Sequence, residues 1–134
     1  MIDLNRALVN YLRADPVLAA QLGTFRGHSS IFASAPIPEQ ATKPFILLQS
    51  VSDVNLETKN RTVREITEDI GIYDDEDGSA ANVEFIAEYL REKLRTPFTV
   101  PDWTMSALSL SGPFLNDSDE YHGRILTART VLDR

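Results

Sequence analysis

Between Phe45 and Tyr73 the sequence reads as two long β-strands, and their patterns limit what the rest of the chain must do. The first, Phe45 to Val51, opens with Phe45, Ile46, Leu47 and Leu48, apolar on both faces as a central strand is. The second, Thr62 to Tyr73, carries Arg64, Ile66, Ile70 and Ile72 at even positions, with Glu68 interrupting that face. The polar run Asp53-Val54-Asn55-Leu56-Glu57-Thr58-Lys59-Asn60-Arg61 between them is too long for a tight turn. The spacing predicts an extended hairpin whose tip leaves the domain body. A hairpin with an apolar face needs an apolar cover.

Helical stripes on either side offer that cover. Leu4, Ala7, Leu8, Tyr11 and Leu12 recur at helical spacing, with Asp3 placed to cap them. Asp15-Pro16 predicts a second, short helix bearing Val17, Leu18 and Leu22, with Gly23 as its left-handed stop. Further on, Val83, Ile86, Ala87, Leu90 and Leu94 form the buried face of a third helix, capped by Ser79 and ended by Pro97. Ser30–Ala33 reads as a short strand, and the three prolines of Ala35–Pro44 as a loop. Trp103 to Ser111 changes phase between Met105 and Leu108, which predicts a bulge. Gly112-Pro113 and the acidic run Asn116–Glu120 then separate it from a last strand, Arg124 to Leu132. The expected fold class is α+β, in the order α-α-β-β-β-α-β-β. It is an antiparallel sheet of about four main strands with helices on one face, in a single domain spanning residues 1–134.

Composition excludes much chemistry. The 134 residues include no Cys, which removes disulfides, thiolate nucleophiles and thiolate metal sites. Thirteen Lys and Arg against 20 Asp and Glu give a net charge of −7, unsuited to gripping nucleic acid by its phosphates. Met1–Arg6 lacks the layout of a signal peptide, and no apolar run approaches the ~20 residues that cross a bilayer, so a soluble protein in a reducing compartment is expected. Asp74-Asp75-Glu76-Asp77-Gly78 departs from a calcium loop because Tyr73 stands where the first ligand must be Asp; a solvated strand-to-helix turn fits better, with a weak cation site as the alternative. His28 and His122 read as exposed loop histidines, and Ser29 or Ser30 with His122 and Asp119 forms no recognisable triad motif.

The ordering of these features resembles the small tail terminator or tail-completion proteins of long-tailed bacteriophages, of the minor tail protein U kind. The matching pieces are Leu4–Leu12 followed by Asp15-Pro16-Val17, then Ser30–Ala33, and Ala35-Pro36 through Lys43-Pro44-Phe45–Leu48. The polar hairpin, Ile70-Gly71-Ile72-Tyr73, the Ala81–Leu94 helix and Tyr121-His122-Gly123-Arg124 complete the likeness. The resemblance implies a non-enzymatic protein without cofactors that forms a ring, commonly a hexamer, on the head-proximal end of the tail tube. Its implied partners are the tail tube protein and a head-completion or connector protein, with DNA passing through the ring without tight binding. Its implied place is the virion tail, assembled in the host cytoplasm. Interface candidates are Asn55, Leu56, Glu57, Lys59 and Arg61 of the hairpin and Pro36 and Pro38 of the proline-rich loop; channel-lining candidates are Asp74, Asp75, Glu76, Asp77, Asp117, Asp119 and Glu120. A neck or connector component, a small metal-dependent hydrolase using the histidines and the acidic turn, and a peptide adaptor are the alternative readings.

Overall fold

The computed structural model describes residues 4–33, 37–56, 59–75 and 79–134. Helix α1 (Leu4–Arg13) buries Leu4, Ala7, Leu8 and Leu12 as its spacing predicts, and Val9 as well; its expected cap, Asp3, lies outside the described residues. Helix α2 (Pro16–Gln21) is capped by Asp15, whose carboxylate accepts from the amides of Val17 and Leu18 at 2.8 and 3.1 Å. Gly23 is not its left-handed stop. The cap residue Leu22 is extended, and Gly23 is needed for space: a Cβ there would meet the Thr42 carbonyl. A short hairpin absent from the sequence reading follows, β1 (Thr24–Phe25) and β2 (His28–Ser29). Arg26 and Gly27 between them both have positive φ, the turn that matches strand twist.

The main sheet has five strands in the order β3 (Ile31–Phe32), β4 (Phe45–Asn55), β5 (Val63–Asp75), β7 (Tyr121–Asp133), β6 (Thr104–Leu115). It is not wholly antiparallel, because β3 pairs parallel to β4 through Ile31↔Ile46 and Phe32↔Leu47. A parallel pair needs a connection of about a dozen residues, and the proline-rich loop serves as one. Thr42 pins that loop to the small hairpin: its hydroxyl accepts from the Thr24 amide at 2.6 Å and donates to the Thr24 carbonyl at 3.0 Å. The β4–β5 ladder runs out to Asn55↔Arg64, so Asp53, Val54 and Asn55 belong to the strand and the hairpin tip begins only at Leu56. In β6 the register shifts between Met105 and Ala107, where the phase change predicts it. Gly112-Pro113 does not end the strand; a second shift absorbs it, and this edge strand continues to Leu115.

Helix α3 (Ala81–Lys93) turns Val83, Ile86, Ala87 and Leu90 onto the sheet face that carries Ile66, Ile70, Ile72, Leu126, Ala128 and Leu132, and all belong to one core. The Ser79 hydroxyl accepts from the Ala81 amide at 3.1 Å, one residue ahead of the helical cap position, Ala80. Leu47 pairs with Gly71 on the opposite face, so Ile46, Leu48 and Ile70 supply the apolar partner for the helices. Glu68 does not leave the core face; it is 1% exposed. Its carboxylate accepts from the Ser50 hydroxyl at 2.7 Å, and the Asn5 side-chain nitrogen, with its amide turned to suit, reaches both oxygens at 2.8 Å. Burial pushes its pKa up, against the Ser50 hydrogen bond.

Candidate assembly surfaces

The sheet order brings together two acidic segments that are distant in sequence. Asp74 lies across from His122 and Asp75 across from Tyr121, so the end of β5 adjoins the β6–β7 tip, residues 116–120. Most of this charge is engaged. Lys43 Nζ stands 2.7 Å from Asp75 Oδ1 and over the Tyr121 ring, and the Asp75 hydrogen bond raises the lysine pKa. Asp74 accepts from the Asp75 amide at 2.8 Å and from the Asn82 side chain at 3.1 Å. Asp117 accepts from the Gly123 amide and from Arg124, both at 2.9 Å; the amide foremost holds its carboxyl below the usual range. The buried Arg124 also reaches Glu84 at 3.0 Å. Asp119 and Glu120 are exposed and form no ion pair among the described residues. Glu76 and Asp77 lie outside the described residues.

Aromatic rings gather on the helix-free face at the same end: Phe45 packs on Tyr73 at 5.4 Å between centroids and on Tyr121 at 6.0 Å. Gly71 and Gly123 make room, since a Cβ at either would strike the Tyr73 ring. The glycines of Ile70-Gly71-Ile72-Tyr73 and Tyr121-His122-Gly123-Arg124 therefore share one steric reason.

At the other end, the outer half of β4 from Gln49 to Asn55 is exposed, because β3 covers only Ile46 and Leu47. Val51, Val54 and Leu56 present apolar surface there. The basic stretch is mostly paired within the chain: Arg64 grips Asp53 through two bonds of 2.9 and 2.8 Å, and the exposed Arg61 approaches Asp133 at 3.3 Å. Lys59 is exposed, Pro38 is half-buried in a turn closed by the Ala41 amide, and Glu57 and Pro36 lie outside the described residues.

Beside this end lies a cleft of about 840 Å³ with no counterpart in the sequence reading. Helix α1 contributes Arg6, Asn10 and Tyr11, the segment after α3 contributes Phe98 and Trp103, and Arg134 closes it. Tyr11 stacks on Phe98 at 5.2 Å, Lys93 Nζ sits 4.1 Å above Tyr11, and the Arg134 guanidinium lies 5.5 Å from the Trp103 ring. The hint in the sequence is two large aromatics around Pro97 and Pro101, Phe98 outside any periodic stripe and Trp103 at the start of a strand. Lys93 also holds Asp15 at 2.8 Å, behind the cleft.

The histidines do not lie in loops: His28 is in β2 and His122 in β7. The carboxylate near His122 is Asp117, at 3.9 Å, and the Ser30 hydroxyl donates to the Thr42 carbonyl. Among the described residues no group of three His, Asp or Glu side chains is placed to hold a metal ion, and no helix is long and apolar enough to cross a membrane.

No family model matches the chain, and no curated protein matches it. Among solved structures it is similar to a chain of one described as "Virion of native gene transfer agent (GTA) particle", with a TM-score of 0.79 and 19% identity. The superposition covers 98% of this chain and 95% of that one. The two chains share a fold over essentially their whole lengths.

Proposed function

We propose that this chain is a virion structural protein without enzymatic activity, and specifically a tail terminator. It forms a ring, most simply a hexamer, on the head-proximal end of the tail tube, stops the tube growing and presents the surface that meets the head-completion or connector protein. The supporting observation is the whole-length likeness to a chain from a gene transfer agent particle, in which neither chain has a large segment left over. The order of elements that suggested the family from sequence points the same way.

Physical considerations fit this role. A domain of this length has a radius of gyration of roughly 14 Å, so several copies in a closed head-to-tail arrangement are needed to surround a duplex. A net charge of −7 per copy disfavours adhesion of passing DNA, whose phosphates bind where Lys and Arg cluster. Asp74, Asp75 and Asp77 are the candidates for the channel wall, although Lys43 offsets Asp75. Asn55, Leu56, Glu57 and Lys59 of the hairpin, with Pro36 and Pro38, are the candidates for contact with the tube or a neighbouring copy. Arg61, turned toward Asp133, contributes there less than the sequence suggests.

Deleting residues 56–61 and closing the hairpin with a two-residue turn tests the reading. The terminator reading expects a folded domain and overlong, headless tails in electron micrographs. Normal tails that fail to join heads would point to a connector, and normal particles would refute both roles for the hairpin.

A further inference from the structure

Strand β6 has a different surface at each end. It starts at Thr104, next to Trp103 in the cleft, and finishes at Leu115, where the β6–β7 tip begins. At about 3.3 Å per residue the strand separates them by roughly 35–40 Å. A copy therefore cannot place its own tip in its own cleft.

The two surfaces match in chemistry. At the tip, Phe114 and Leu115 are 54% and 75% exposed, large apolar side chains on the two faces of an edge strand. Asp119 and Glu120 follow, exposed and without an ion pair among the described residues, while Asp117 is turned back onto Arg124. In the cleft the order is repeated with opposite charge. Tyr11, Phe98 and Trp103 form an aromatic floor, and Arg6 and Arg134 stand on the wall; Asp102 is the single acidic side chain among the lining residues. Leu115, the most exposed large apolar side chain among the described residues, stands close to the unpaired carboxylates of the tip, and aromatic and Arg side chains are where interfaces concentrate their affinity.

We infer that the β6–β7 tip of one copy seats in the α1–Trp103 cleft of the next, with Leu115 against the aromatic side chains and Asp119 and Glu120 toward the Arg134 guanidinium. This rests on the ring reading and specifies its subunit contact. The contact is heterologous, so every copy offers one tip and one cleft, and repetition closes a ring or continues as a filament. It takes Asp119 and Glu120 off the channel wall and gives them a neighbouring subunit to face.

A mixing experiment tests the direction of the contact. Leu115→Asp disables the tip and Arg134→Glu disables the cleft; both residues are exposed, so both variants keep the wild-type circular dichroism spectrum and melting temperature. Sedimentation velocity over a concentration series reads the assembly. The expected result is an oligomer for wild type, self-association weakened about tenfold or more for each variant, and an equimolar mixture that stops at dimers, because one intact tip meets one intact cleft. Combining Arg134→Glu with Glu120→Arg restores assembly. Variants that assemble like wild type, a mixture that stays monomeric, or a wild type that never associates would each overturn the proposal. Tail length separates this from the terminator reading: variants that assemble normally and still give tails of normal length would refute the contact and leave that reading standing.

Discussion

Asp15 joins three parts of the core, and its replacement has a calculable cost. Its carboxylate caps α2 through the amides of Val17 and Leu18, accepts from the Tyr89 hydroxyl at 2.7 Å and pairs with Lys93 at 2.8 Å. It is 7% exposed and its pKa is lowered to about 2 from an ordinary 3.8. Burial is the largest single influence and acts upward; the bonds from Lys93, Tyr89, Leu18 and Val17 together outweigh it. At roughly 1.4 kcal/mol per pKa unit this downward shift corresponds to about 2 kcal/mol favouring the ionised, folded form. That stability is complete above the unfolded value near 4 and is lost as pH falls through the folded value near 2. Asp15→Asn keeps a capping oxygen and removes the charge, so it should cost about 1–2 kcal/mol at pH 7. Asp15→Ala removes the cap too and strands Lys93 and Tyr89, so about 2–4 kcal/mol is expected. Urea denaturation of wild type and both variants at pH 7, 4 and 2.5 reads these differences. The gap between wild type and Asp15→Asn should narrow toward the acid end. A gap that is absent at pH 7, or that does not change with pH, would refute the reasoning.

Leu90 is fully buried between α3 and the sheet, so Leu90→Ala should cost about 2–5 kcal/mol in a denaturant melt. Glu68 is buried in the core, and that burial raises its pKa. A raised acid pKa means that the folded state binds the proton more tightly, so this group's penalty is present above the folded pKa and is relieved as pH falls through it. Glu68→Gln should be as stable as wild type or more stable at pH 7, and the difference should shrink by pH 4 in paired melts. Gly23→Ala drives a Cβ into the Thr42 backbone and should cost about 1–3 kcal/mol, with faster amide exchange at Ser30 and Thr42.

The charged residues that draw attention in the sequence are mostly consumed inside one copy. Arg61 and Arg64 turn to Asp133 and Asp53, Asp75 to Lys43, and Asp117 to Arg124. Apart from the pair made by the buried Arg124, these are exposed pairs worth ~0–1 kcal/mol each, so they add little stability; their effect is to offset charge within one copy. Among the described residues, the outward surface includes the apolar strip of outer β4, the Phe114–Leu115 edge and the Asp119–Glu120 tip.

The amino-acid sequence by itself determines the helices, the long strands, the Asp15-Pro16 helix start and the bulge after Met105. Each depends on residues a few positions apart: a period of 3.6 or 2, a capping oxygen two residues from an amide, a change of phase within one strand. The parallel β3–β4 pair, the burial of Glu68, the meeting of Asp74 and Asp75 with the β6–β7 tip, and the cleft shared by Tyr11, Trp103 and Arg134 depend on the tertiary structure alone. No local pattern carries them, because sheet order decides which distant segments exclude water from one another. Glu68 shows the reason at a single residue. Its place on the core face follows from strand alternation, yet its tolerance there requires Ser50 from β4 and Asn5 from α1, which only the folded chain brings within hydrogen-bonding distance.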